Sequence, residues 1–254
     1  MSTFAERVEA ISGVETSDIT EGLLNTWLSE SAKEVINILP PQVLYKASVQ
    51  EEYFQTPPEV DADGNIQYRE NYDNIGTSVP ESRILNVVRW TQKVGPDTDG
   101  DGTGDGLVDD IPYECIEIDA ALRGRTYKDS GYMEEATQEN PVFYRLNEKV
   151  YINPVPVKLL NVNTRAEISY VTYPDIEHDG SSIDNFPVEV EHLVILKTAV
   201  KAKFWQIAQA NKEEDLEVAA SHTNHMSALN QEYTMCLQNY LGGFQINIKE
   251  QGVA

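Results

Sequence analysis

Cysteine, basic residues and long apolar runs are all scarce in this chain of 254 residues. The two cysteines, Cys115 and Cys236, lie far apart and outside any C-x-x-C pattern. That excludes a disulfide scaffold and a zinc ribbon. Lys and Arg number 19 against 42 Asp and Glu, a net charge of −23. Such an excess repels a nucleic-acid backbone and an anionic membrane surface, so a general basic surface that wraps DNA is excluded. The clearest apolar stretches, such as Leu193–Leu196, are far too short to span a bilayer. The first residues lack the basic and apolar regions of a secretory signal, and there is no N-x-[ST] sequon. The expectation is a reduced, soluble protein made in a cytoplasm. G-x-S-x-G, P-loop and H-E-x-x-H motifs are also missing, and no carboxylate pair stands out among the many acids. Both cysteines read as buried rather than nucleophilic.

What is present is ordinary for a globular protein. Hydrophobic residues make up 41% and charged residues 24%, and the length suits one large domain or two small ones. Helical signals lie at both ends. Thr3 with Glu6 fits a capping box, with Gly13 as a stop. A second helix starts near Ser17 or Asp18, with Ile19, Leu23, Leu24, Trp27, Leu28, Val35, Ile36 and Leu39 on one face, and Pro40-Pro41 ends it. From Val43 to Tyr173 short runs rich in β-branched and aromatic residues alternate with turn signals. The predicted strands are Val43–Ser48, Ile66–Arg69, Ile84–Thr91, Tyr113–Ile118, Val142–Arg145, Val150–Ile152 and Ala166–Tyr173. Hairpin turns are predicted at Asp61–Asn65 and Leu146–Lys149. Ala120–Asn140 is polar and aperiodic and reads as a long loop. Helix returns after Asp184-Asn185-Phe186-Pro187, with Glu189 and Glu191 near its positive end. The stripe Val190, Leu193, Val194, Val200, Phe204, Ile207 and Ala208 fits one face of it. A break near Asn211–Asp215 precedes a last helix, carrying Leu216, Ala219, Met226, Leu229, Tyr233, Leu237 and Leu241 and ending at Gly242-Gly243. A short strand is expected at Phe244–Ile248. The fold class is therefore α+β: terminal helices packed together beside an antiparallel sheet or small β-sandwich from the middle of the chain.

Three groups of residues carry candidate chemistry. Asp97, Asp99, Asp101, Asp105 and Asp109 alternate with glycines, and oxygen ligands on tight turns are what Ca²⁺ requires. The spacing resembles the start of an EF-hand or dockerin-type loop. It departs from it at position twelve, which is Val108 where a bidentate acid is needed, and the flanks read as strands. A solvated hairpin tip is the competing interpretation. His222 and His225 lie three apart on a predicted helix, but no third ligand is in view, and they read as polar-face residues. The basic residues Arg123, Arg125 and Lys128 in the polar loop, and Lys197, Lys201 and Lys203 on the C-terminal helix, are candidate docking points for an acidic neighbour, a second copy included. Ordinary solvated cations are the alternative.

Three phrases together resemble one known family. They are Arg83–Arg89 with the following Tyr113–Glu117, Asn140–Pro154 leading to Ala166–Pro174, and Ser181–Leu196 with its Asp-Asn-Phe-Pro-Val-Glu. The order is similar to that of neck or head-to-tail connector proteins of tailed bacteriophages, over roughly residues 32–240. The Asp-rich stretch, 95–110, is an insertion at a hairpin tip outside that pattern. The resemblance implies a non-enzymatic virion protein assembled in the host cytoplasm. It would form a homo-oligomeric ring, often twelve-fold, between portal protein and the next neck or tail protein, with DNA only passing through its channel. It also implies a helical part from residues 1–42 and 181–243, a β part over 43–180 and a tail over 244–254. No membrane and no certain cofactor are expected. The alternatives are a Ca²⁺-dependent protein- or carbohydrate-binding module and, behind it, a carboxylate-pair hydrolase.

Overall fold

In the computed structural model the described residues are 2–53, 76–94, 107–126, 135–156 and 165–250, without the side chains of 92–94, 107–110 and 242–250. The protein is α+β, with helices at both ends and β-sheets between them. It divides into two units, one of Met1–Ser48 with Val171–Ala254, the other of Val49–Tyr170.

The first unit begins with α1 (Phe4–Ser12). The Thr3 hydroxyl accepts from Glu6 N–H while the Glu6 carboxylate accepts from Thr3 N–H, and Gly13 closes the helix in the left-handed region. A 3-10 turn at Thr16–Asp18 precedes α2 (Glu21–Ile38). Its buried face, Leu24, Leu28, Ala32, Val35 and Ile36, follows the 3.6-residue period. Pro40-Pro41 then opens the short α3 (Pro41–Leu44), and a 3-10 turn follows at Tyr45–Ala47. The strand expected at Val43–Ser48 is therefore helical. Proline at the first helical position favours a new turn of helix, and Val43 and Leu44 are buried by it.

The C-terminal helices complete this unit. They are α4 (Glu191–Lys212), entered through a 3-10 turn at Val188–Val190, and α5 (Leu216–Glu250). The first half of α4 is buried almost all round, through Leu193, Val194, Ile195, Leu196, Ala199 and Ala202, because α1, α2 and α5 all pack on it. The chain between Val171 and Ile183 straps the unit together. Tyr173 donates to Asn37 Oδ1 at 2.8 Å, Ile176 N–H to Ser29 Oγ at 2.9 Å and His178 N–H to Asn25 Oδ1 at 2.8 Å. Phe4 N–H donates to Gly180 O at 2.8 Å. The buried Glu191 carboxylate accepts from Ile183 N–H at 3.0 Å and lies 3.6 Å from Arg7. A buried carboxylate needs such partners.

Against expectation, α5 continues through Gly242-Gly243 to Glu250, which replaces the strand expected at Phe244–Ile248. Each glycine weakens a helix by about 1 kcal/mol without forbidding it.

The second unit holds two four-stranded sheets. The first has the order β1 (Val49–Tyr53), β8 (Arg165–Thr172), β3 (Ser82–Val94), β4 (Leu107–Glu114). The second has the order β2 (Thr77–Ser78), β7 (Lys149–Asn153), β6 (Val142–Leu146), β5 (Ile116–Glu117). β1 pairs antiparallel with β8 from Val49↔Tyr170 to Tyr53↔Ala166, whereas β5 pairs parallel with β6. Both sheets contribute to one apolar cluster: Val87, Ala166, Ile168 and Tyr170 from the first, Phe143, Val150 and Ile152 from the second. Alternate residues of β8 (Ala166, Ile168, Tyr170) and of β7 (Val150, Ile152) belong to it, as the two-residue period requires. The β6–β7 hairpin turns on Asn147 and Glu148, with φ of 50° and 62°. Two positive-φ residues give a turn whose twist matches the strands. The predicted strand Ile66–Arg69 and turn Asp61–Asn65 lie outside the described residues.

Candidate assembly surfaces

The antiparallel pair β3 and β4 flanks the Asp/Gly-rich stretch in the sequence. Asp97, Asp99, Asp101 and Asp105 lie outside the described residues. Asp109 is in β4, where Gln92 pairs with Asp110 and Lys93 with Val108, so Asp109 is the extra residue of a β-bulge. Among the described residues no three His, Cys, Asp or Glu side chains are grouped to hold a metal, and no helix is long and apolar enough to cross a membrane.

Arg123 and Arg125 do not lie in a formless loop. They belong to a 3-10 helix over Ala120–Arg125, capped by Asp119 Oδ1 on Ala121 N–H at 2.8 Å. The end of this helix is held from below by Thr126. Its hydroxyl donates to Arg123 O at 2.8 Å and accepts from Asn153 Nδ2 at 2.9 Å, and its carbonyl accepts from Ala136 N–H. Next to Asn153, Pro154 O accepts from the buried Arg89 Nε at 2.8 Å. Burial lowers the Arg89 pKa to about 10, which leaves it charged at neutral pH. The side chains of Arg123 and Arg125 stay exposed on this support. Lys128 lies outside the described residues.

The three α4 lysines are engaged within the chain. Lys197 lies 3.1 Å from Glu34, and Lys201 lies 3.0 Å from Glu30 and 3.2 Å from Glu34, so both tie α4 to α2. The Lys197 ammonium also sits 5.3 Å from the centroid of the Tyr233 ring of α5. Burial raises the Glu34 pKa, but hydrogen bonds and charge from Lys197 and Lys201 together outweigh it and hold the carboxyl low. Lys203 is 4% exposed and donates to Gln206 Oε1 at 2.8 Å, and burial depresses its pKa. His222 is depressed by burial, then by Lys203 and His225.

A surface that the sequence pattern did not single out lies on α5. Ala219, Leu229 and Tyr233 are buried, and Tyr240 donates to Glu189 O just before α4 begins. Among the described residues, α4 is the element that packs most extensively on α5. A neighbouring stripe, Thr223, Met226, Ser227, Asn230, Gln231, Thr234 and Met235, lines a shallow groove. These positions recur every three or four residues, so they share one helix face. Phe204, Leu216 and Met235, 66%, 73% and 64% exposed, add apolar surface to the two helices. Phe204 and Leu216 fit the apolar periods of the two helices, and the structure leaves both in solvent. Compared with known proteins, the sequence matches no family model and no curated relative.

Proposed function

We propose that this protein is a structural subunit of a tailed-phage neck, a head-to-tail connector that assembles as a ring on the portal protein and receives the next neck or tail protein. The observation that carries this reading is exposed apolar surface on α4 and α5, with Phe204, Leu216 and Met235 in solvent on an otherwise strongly acidic chain. Large apolar side chains left in solvent are surface that association with protein would bury. The order of elements supports the same reading, because helices from both chain ends flank a β-rich middle as in the family that the sequence resembles.

The charge fits the task. A channel wall of net negative charge gives phosphates nothing to grip, so DNA slides past without being held. The neighbours meet the ring through contacts in which one face of each copy joins a different face of the next. No reaction is assigned to it. The test is to mix the purified full chain with the portal protein from the same genome and image the product by negative-stain microscopy. A ring stacked on the portal supports the reading, and a chain that binds neither itself nor portal contradicts it.

A further inference from the structure

We propose that the uncharged stripe of α5 from Thr223 to Met235 is the surface by which one copy of this chain holds the next. The inference rests on the connector reading in expecting self-assembly, but its evidence is the charge pattern of one helix. Between Val218 and Ile248 the only Asp, Glu, Lys or Arg is Glu232. At the chain's average of 24% charged residues, a stretch of this length would carry about seven. The depletion is not explained by burial, since Thr223, Ser227, Gln231, Thr234 and Met235 are all exposed.

The charge distribution selects the occupant. Every copy carries −23, so two copies repel each other wherever acidic faces meet. A face with almost no charge is where a second copy can approach without desolvating or confronting carboxylates. A basic partner would be met instead by several Asp and Glu, and a nucleic acid by Lys and Arg, whereas between Thr223 and Met235 Glu232 is the one residue of these types. Its chemistry also suits contact with a like surface. Thr, Ser, Asn and Gln each donate and accept, so uncharged groups on a neighbouring copy can satisfy them without a matching charge. Met226 and Met235 supply adaptable apolar contact between them.

The test uses the full-length chain and two measurements. In sedimentation velocity, Ser227→Glu/Gln231→Glu/Met235→Glu places three like charges on the stripe, in a residue that favours helix. Ser2→Glu/Ala10→Glu/Thr26→Glu is the charge-matched control on exposed positions elsewhere. The stripe variant is expected to self-associate roughly tenfold or more weakly than wild type, with the control unchanged. Because the variant could lose its fold, a photo-crosslinking residue in place of Gln231 gives an independent result. It should yield a covalent dimer of the purified chain, and one in place of Ala10 should not. Assembly of the variant at wild-type strength, or no dimer adduct from position 231 in an assembled sample, overturns the stripe while leaving the ring reading standing. Dimers through the stripe that neither close into rings nor bind portal overturn the ring reading and leave the stripe standing. A chain that stays monomeric at every concentration overturns the stripe.

Discussion

Lys201 Nζ of α4 lies 3.2 Å from Glu34 Oε1 of α2, and Lys197 reaches the same carboxylate at 3.1 Å. This arrangement makes Glu34 a staple between the N- and C-terminal parts of the helical unit. Its folded pKa is lowered, so its stabilising contribution is complete above the ordinary value of 4.5 and is lost as pH falls through the lower folded value. All three side chains are partly exposed, which discounts the effect to about 1 kcal/mol. Glu34→Gln should therefore unfold at lower urea than wild type at neutral pH. The difference should shrink as the pH is taken well below the ordinary carboxylate value. An equal difference across the whole pH series would remove the ion pairs as its cause.

Lys203 presents the opposite case. It is buried, it donates to the neutral amide of Gln206, and burial depresses its pKa. A base with a depressed folded pKa weakens the fold below that pKa, and stability rises with pH up to the unfolded value. Lys203→Met keeps the packing stem and removes the buried ammonium. It should stabilise the protein by about 1 kcal/mol at neutral pH. The pKa of His222, followed by NMR, should rise in the same variant because a neighbouring positive charge has gone.

The two thiols should react in sequence. Cys115 is buried between the sheets and its pKa is raised to about 12, chiefly by burial. Cys236 is partly exposed on α5. A disulfide reagent at mildly alkaline pH should label Cys236 in the native protein and Cys115 only after denaturant is added. Simultaneous labelling of both would contradict the sandwich core.

Much of the fold was legible because periodicity reports burial. Leu24, Leu28, Val35 and Ile36 of the α2 stripe and Val150 and Ile152 of a predicted strand were visible in the sequence, and all are buried. The failures have physical reasons. Val43–Ser48 has β-rich composition, yet Pro41 sets a helical turn. Phe204 and Leu216 fit a helical period but face solvent, since periodicity finds an apolar stripe without saying whether this chain or another covers it. The ion pairs of Lys197 and Lys201 were not legible because their partners Glu30 and Glu34 are far away in the sequence. The α5 stripe is marked by missing charge, which neither an apolar period nor a charge cluster signals.

The β6–β7 hairpin offers a local test of backbone geometry. Glu148 sits at φ 62°, where a side chain is strained. Glu148→Gly should raise stability by about 1 kcal/mol. Gly76→Ala should do the reverse, because Gly76 lies at φ 66° and a Cβ there would meet the Tyr151 ring at 2.9 Å. That ring stacks on Tyr144, with centroids 5.1 Å apart. Paired thermal melts of the two variants check both signs.

The most direct measurement is the mass and shape of the purified chain, alone and with its portal protein, by native mass spectrometry and electron microscopy. The connector reading predicts a closed ring of 28.5 kDa copies around a channel, free or seated on the portal. A 28.5 kDa monomer in both samples, with portal rings left bare, would contradict it.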